Sequence, residues 1–307
     1  MGTRLRVTTA AASIEAATIQ IEAVFAEVRR MERVLSSWRP ESEVGRLNAA
    51  PIGVPVAVSA ELFDLLEEAR AWGAMSGGVV EPAVGALIDA WDLRGAGRRP
   101  DEDELGRARS RSGPEAFQLD ARTHRVTRVA EGGWITTGSF GKGAALRSAL
   151  TVLRDAGVES AFLDFGGQVV ALGGSPESGS WSVSVAHPSR RDQPAAELRL
   201  ANVSASTSGA SERFVEVDGQ RFGHILDPRS GRPVPAWGSA TVVAADPMVA
   251  DLVSTAVFVL GPEAGLRWAE SLDEIGVLVL HELDGRLTAR WNPAMERWLL
   301  NGNEDRG

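Results

Sequence analysis

Asp251 and Thr255 stand four residues apart in the segment VADLVSTAVFVLG, a spacing that puts a carboxylate and a hydroxyl on one face of a helix. Both are hard oxygen donors, the kind that magnesium takes when it shares its shell with substrate phosphates. The same pair also has a mundane explanation. An aspartate favours the positive end of a helix, and a threonine can return its hydroxyl to a carbonyl one turn back. His224 opens the segment HILDPRSGRP, and an imidazole with its ordinary pKa of about 6.5 can take a proton at neutral pH. Asp227, Pro228 and Gly231 in that segment equally spell an ordinary turn. A third stretch, TTGSFGKG at residues 136–143, leads into a helical pattern, so that backbone N–H groups and Lys142 can cradle a phosphate. It matches neither a Walker A loop nor a GxGxxG fingerprint. Gly166 and Gly167, in LDFGGQVVALGG, allow close backbone approach or a tight strand-to-strand turn. Ser208 lies in the hydroxyl-rich NVSASTSGASER, where a nucleophilic serine would need an orienting base that the local sequence does not supply.

The elements that must position these groups follow from periodicity. An apolar face running from Ile14 through Val24 and Met31 to Leu35 predicts one long helix over 12–37, preceded by the short strand RLRVTT. SSWRPESEVGRLN is expected to be a loop with one helical turn. Residues 59–76 carry helical spacing with Ser59 as N-cap, and 81–91 reads as a shorter helix. The polar GAGRRPDEDELGRARSRSGPEA is expected to hold one exposed helix, and 117–129 alternates as a hairpin. A helix over 143–156, the strand AFLDFGG and a run of strands and turns over 168–222 come next. The turn HILDPRSGRPVP, the strand SATVVAA, helices over 248–260 and 262–271, and the strands GVLVLHEL and RLTARW complete the chain. Clustered strands with flanking helices, without strict βαβ alternation, predict an α+β fold with a mixed, mainly antiparallel sheet. No internal repeat or long low-complexity linker divides it, so one domain over 1–307, compact or two-lobed, is expected.

Composition narrows the function. A chain of 307 residues with 44% hydrophobic and 24% charged residues is long enough to bury a large core. A net charge of −9 argues against a nucleic-acid binder, which needs phosphate-neutralising basic patches, yet permits an anionic nucleotide at a locally positive site. With no cysteine there is no disulfide, thiolate metal site or cysteine nucleophile, and the four histidines are widely spread. No signal peptide, lipobox or membrane-spanning stretch is visible, so a cytoplasmic protein that engages no membrane is expected.

Taken in order, the segments MGT, LSSWRPESEVGRLN, GGVVEPAVGALIDAW, GSFGKG, LDFGGQVVALG, STSG with RFGHILDPRSGRP, and ADLVSTAVFVLG resemble the ApbE family of FAD:protein FMN transferases. The resemblance implies a magnesium ion held by Asp251, Thr255 and the backbone carbonyl of Ser139. It implies FAD as substrate, lying against Met1, Ser36, Ser37, Trp38, Glu81, Lys142, Gly166, Gly167 and Ser208. The acceptor is a Ser or Thr hydroxyl of a target flavoprotein, AMP leaves, and His224 is the candidate base, with Asp227 either orienting the imidazole or supporting the metal shell. Two other outcomes use the same site: hydrolysis of FAD by water, or binding of FAD without turnover. The chain departs from the family's usual DLGAIAKGYAVD, placing Thr136 and Arg147 where carboxylates are common. Its GGVVEP segment has Glu81-Pro82-Ala83 where Asp-x-Thr is usual. Oligomeric state and the identity of the acceptor are not legible.

Overall fold

Serines at 204, 206 and 208 alternate with Ala205, Thr207 and Gly209, so one strand presents a small hydroxylated face and an opposite face of different character. That strand lies at the centre of the main sheet. A computed structural model describes residues 3–210, 214–217 and 219–300. Met1, expected at the FAD site, lies outside the described residues.

In chain order the elements begin with strand β1 (Leu5–Thr9), helices α1 (Ile14–Leu35) and α2 (Glu43–Ala49), strand β2 (Pro55–Ala57) and helix α3 (Ala60–Met75). Helices α4 (Gly85–Ala90) and α5 (Glu102–Ser110) precede the hairpin of β3 (Phe117–Asp120) and β4 (Arg125–Arg128), which is followed by helix α6 (Gly141–Asp155). Strands β5 (Ala161–Phe165), β6 (Gln168–Leu172), β7 (Trp181–Ala186), β8 (Pro194–Leu200) and β9 (Val203–Gly209) come next. Four short strands follow: β10 (Phe214–Val217), β11 (Gln220–Gly223), β12 (Leu226–Asp227) and β13 (Arg232–Pro233). Strand β14 (Gly238–Ala244), helices α7 (Pro247–Leu260) and α8 (Pro262–Ala269), and strands β15 (Gly276–Leu283) and β16 (Arg286–Trp291) follow, with a short 3-10 helix at Pro293–Arg297 after them. The architecture is α+β with a mainly antiparallel sheet, as the strand clustering predicts. Among the described residues no helix is long and apolar enough to cross a membrane.

Two units can be distinguished, one made chiefly of Val28–Ala145 and Ala210–Ala236, the other of the chain before Val28, Leu146–Gly209 and the chain after Ala236. The second holds a seven-stranded sheet in the order β1-β5-β6-β9-β14-β15-β16, every neighbouring pair antiparallel. Opposite faces of this sheet bury different chemistry. Val169, Ala171, Ala205, Val243, Leu278 and Leu280 join Val185, Leu198 and Leu200 of the β7–β8 hairpin and Met295 in an apolar cluster. On the other face α7 packs across β9 and β14. α7 is apolar nearly all round because it is enclosed, with Met248, Leu252, Val253, Val257 and Phe258 fully buried.

Within the first unit, β2, β4 and β3 form a small antiparallel sheet, and β10–β11 and β12–β13 form two ribbons. Helices α4 and α5 bury Leu87, Trp91, Leu105 and Ala108 in one cluster that also takes Leu226 of β12. The helix expected to lie exposed in the polar segment is therefore half-anchored, because Leu105 and Ala108 face this cluster. The expected helix over 81–91 starts only at Gly85. The Glu81 carboxylate accepts the N–H of Ala83 at 2.7 Å across Pro82, holding the chain in a local turn before α4 begins. Ser59 caps α3 as predicted, accepting the N–H of Leu62 at 3.2 Å.

Candidate active site

Helix α7 starts at Pro247, and its cap is Asp246, whose Oδ1 accepts the N–H groups of Met248 at 2.8 Å and Val249 at 3.3 Å. Asp251 is one turn further in. It is therefore not the residue that complements the helix end, and its position needs another reason. Its carboxylate is 3% exposed, and Ser206 of β9 donates to its Oδ1 at 3.4 Å. Around it the hydroxyl face of β9 meets α7: Ser208 and Ser254 lie 2.9 Å apart, Ser254 donates to Ser206 at 3.3 Å, and Ser208 and Thr255 are 3.5 Å apart. Thr255 donates to the Asp251 carbonyl at 3.1 Å, the back-bond that its position in a helix permits. That bond uses the hydroxyl proton and leaves the oxygen lone pairs available as donors to a cation.

This arrangement brings Ser208, Asp251 and Thr255 together, with Ser206 and Ser254 beside them. Among the described residues no group of three or more His, Cys, Asp or Glu side chains gathers to hold a metal. A cation here would rely on one carboxylate together with hydroxyl, carbonyl and substrate oxygens. Such a set suits a hard ion of the magnesium type, and the residues fit that group.

The start of α7 is held from two sides. Arg147 of α6 donates from Nε to Asp246 Oδ1 at 2.9 Å, with its Nη2 2.8 Å from the same oxygen. Gln168 of β6 donates from Nε2 to the Pro247 carbonyl at 2.7 Å. The charge that the sequence reverses at 147 thus has its carboxylate partner on α7. Gly166 and Gly167 form the β5–β6 turn at φ 62° and 89°, the left-handed region that favours glycine. A Cβ at Gly166 would stand 2.3 Å from Thr3 Oγ1, so the position serves both the tight turn and the close approach of the N-terminal segment.

The other predicted residues lie in the first unit. His224 follows β11 and is solvent-exposed. Its segment is fixed from both sides: Leu226 is buried on α4, and Val234 N–H donates to the Ile225 carbonyl at 2.9 Å. Asp227 organises the turn. Its Oδ1 accepts Arg229 N–H at 2.9 Å, and the Arg229 guanidinium grips both carboxylate oxygens at 2.9 and 3.0 Å, holding that guanidinium's pKa above its ordinary value. Gly231 closes the turn at φ 71°, with its N–H on the Asp227 carbonyl at 2.7 Å and its own carbonyl accepting Trp91 Nε1 at 2.9 Å. A side chain there would stand 2.9 Å from Leu87 Cδ2.

The glycine-rich loop is pinned by the protein's own polar groups. Asn48 exchanges two bonds of 2.8 Å with the Ile135 backbone, Thr136 N–H donates to the Pro82 carbonyl at 2.8 Å, and Thr137 Oγ1 donates to the Leu35 carbonyl at 2.9 Å. Ser139 and Lys142 are half-buried where this loop enters α6. Glu81 is largely withdrawn from water. Burial pushes its carboxyl pKa up, opposed by the Ala83 N–H and the charge of Arg70. Ser36 is buried, Ser37 takes two bonds from Arg94, at 3.2 Å on its carbonyl and 2.9 Å on its hydroxyl, and Trp38 is 62% exposed. Arg94, Trp134 and Ser206 carry no local motif. Only the alternation of serines in NVSASTSG signals a polar strand face.

Similarity to known proteins extends over nearly all of this frame. The model of the ApbE family matches residues 1–279. The chain is 35% identical over 270 residues to the FAD:protein FMN transferase of Treponema pallidum (strain Nichols), spanning 82% of this chain and 74% of that protein. It is 33% identical over 260 residues to a FAD:protein FMN transferase of Klebsiella pneumoniae (strain 342), spanning 83% and 80%. Among solved structures, the ApbE protein from Thermotoga maritima superposes with a TM-score of 0.87 at 28% identity, covering 96% of each chain. The flavin transferase ApbE from Vibrio cholerae gives 0.85 at 24% identity, covering 97% of this chain and 96% of that one, a likeness of fold.

Proposed function

The chain belongs to the ApbE family, and from that premise we propose that it transfers the FMN half of FAD to a Ser or Thr hydroxyl of a target flavoprotein, with release of AMP. The observation that carries the chemistry is Asp251, a buried carboxylate among the hydroxyls of Ser206, Ser208, Ser254 and Thr255. Asp251 and Thr255, with the Ser139 carbonyl, are the proposed protein ligands of a magnesium ion. Held there, such an ion would supply charge neutralisation to the pyrophosphate as it is cleaved.

The acceptor oxygen attacks the phosphorus on the FMN side, the anhydride bond to the AMP phosphate breaks, and AMP leaves with the bonding pair. The hydroxyl proton goes to His224, whose exposure suits a base that must meet a group arriving on another protein. Asp227, held by Arg229 and its own turn, keeps the His224 segment in shape. Ser36, Ser37, Trp38, Glu81, Lys142, Gly166, Gly167 and Ser208 are the proposed FAD contacts. Arg147 of α6, which stands where the family commonly has a carboxylate, is engaged by Asp246.

Chromatography of FAD, FMN and AMP separates transfer from hydrolysis. With FAD, magnesium and a flavoprotein acceptor, AMP is expected to appear without an equal amount of free FMN, and neither is expected without acceptor. Free FMN and AMP released together in the absence of acceptor would identify a pyrophosphatase instead.

A further inference from the structure

Arg94 lies at the tip of a well-made turn. Asp92, at φ 48°, accepts the N–H groups of Gly95 and Gly97 on its carbonyl, and Ala96 N–H on its carboxylate at 3.1 Å. From that turn the Arg94 guanidinium carbon sits 4.1 Å from the centre of the Trp38 ring and 3.9 Å from the centre of the Trp134 ring. The guanidinium carbon thus lies over both indole rings at once. Both distances are close to the stacking separation of conjugated carbon, about 3.5–4.0 Å. A planar guanidinium is the side chain best suited to stack in this way.

The two walls differ. Trp134 is fixed: its ring lies on Gly85, where a Cβ would come within 2.1 Å of Cδ2. Its carbonyl accepts Gly85 N–H at 3.0 Å, and its Nε1 donates to Asp89 at 2.7 Å. Trp38 is exposed. Meanwhile the same guanidinium donates to both oxygens of Ser37, its carbonyl and its hydroxyl. One side chain therefore covers the ring of Trp38 and the hydrogen-bonding groups beside it. The side chain stays exposed overall, and the partial withdrawal of its guanidinium from water lowers its pKa, opposed by Asp89.

We propose that Trp38 and Trp134 form a stacking slot for a planar heteroaromatic ring of FAD, and that Arg94 is its resident occupant, which the incoming ring displaces. The proposal rests on the reading of the chain as an FAD-using enzyme. Arg94 then acts as a specificity-determining residue: a ligand without an extended planar ring cannot replace both stacks, and self-occupancy weakens the apparent affinity of one that can. A slot open about one-tenth of the time weakens apparent binding about ten-fold.

The test is binding of riboflavin, adenosine and FAD to the wild-type chain, Arg94→Ala and Arg94→Gln, by flavin-fluorescence quenching for the flavins and calorimetry for adenosine. Riboflavin or adenosine is expected to bind roughly ten-fold tighter to Arg94→Ala, and the probe that tightens names the ring. Arg94→Gln should move in the same direction, and Trp134→Ala added to Arg94→Ala should abolish the gain. Unchanged or weaker binding of both probes in both variants overturns the proposal. If that happens while the wild-type chain still binds and consumes FAD, only the slot is lost. If riboflavin or adenosine tightens while the wild-type chain fails to bind FAD, the slot stands and the transferase reading falls.

Discussion

Glu81 shows how a single residue can set a measurable pH dependence. Its carboxyl is largely buried, and that burial raises its pKa from 4.5, outweighing the Ala83 N–H and Arg70. A raised folded-state pKa means that the native protein holds this proton more tightly than the unfolded chain does. The stability it contributes is complete below the unfolded value and is lost as pH rises through the folded one. Glu81→Gln keeps an oxygen for the Ala83 N–H and removes the charge. Urea denaturation of both proteins at about pH 4 and about pH 7 should therefore show the variant gaining on the wild type as pH rises, and equal slopes would contradict this. At this scale the proposed site is only partly legible in sequence. The spacing of Asp251 and Thr255 puts them on one helix face but fits an ordinary structural role equally well, and Ser208 enters only through its place in STSG. Ser206 is not legible, because a serine on an alternating strand has no signature until the helix across from it is known. Arg94 and Trp134 meet only in the folded chain, forty residues apart in sequence.

Among the elements, α7 matters most, because it carries two of the three proposed metal ligands and its first turn depends on Asp246. That carboxylate caps Met248 and Val249 and also receives Arg147, so the pair joins α6 to the start of α7. Both side chains are partly exposed, at 28% and 39%, so their coupling in a double-mutant cycle should lie near the upper end of a surface pair, about 0.5–1 kcal/mol. Asp246→Ala should cost more than Arg147→Ala, by about 1 kcal/mol, because it also removes the cap. Denaturant midpoints of the two single variants and the double variant measure this, and additive effects would remove Arg147 from the support of the helix. Helices of this length are legible because an apolar face repeats over several turns. The three residues of β2 are not, since only pairing with β4 makes Pro55–Ala57 a strand. Nor is the seven-strand order legible, in which β9 lies between β6 and β14 through pairings that local periodicity does not encode.

For the molecule as a whole, a net charge of −9 and an anionic substrate repel one another, so binding of FAD requires a locally positive feature. A cation at Asp251 and Thr255, Lys142 and the N-terminus of α6 are the features proposed to supply it. The α+β class was legible from clustered strands, whereas the function became legible only when individually weak segments were taken together in order. The most direct measurement is the intact mass of a flavoprotein acceptor after incubation with the chain, FAD and magnesium, run beside Asp251→Asn and a chelator control. The account predicts a gain of one FMN group per acceptor hydroxyl, lost with the chelator and reduced at least about a hundred-fold by Asp251→Asn. An acceptor of unchanged mass while the wild-type chain binds FAD, or an equal gain with Asp251→Asn, would contradict it.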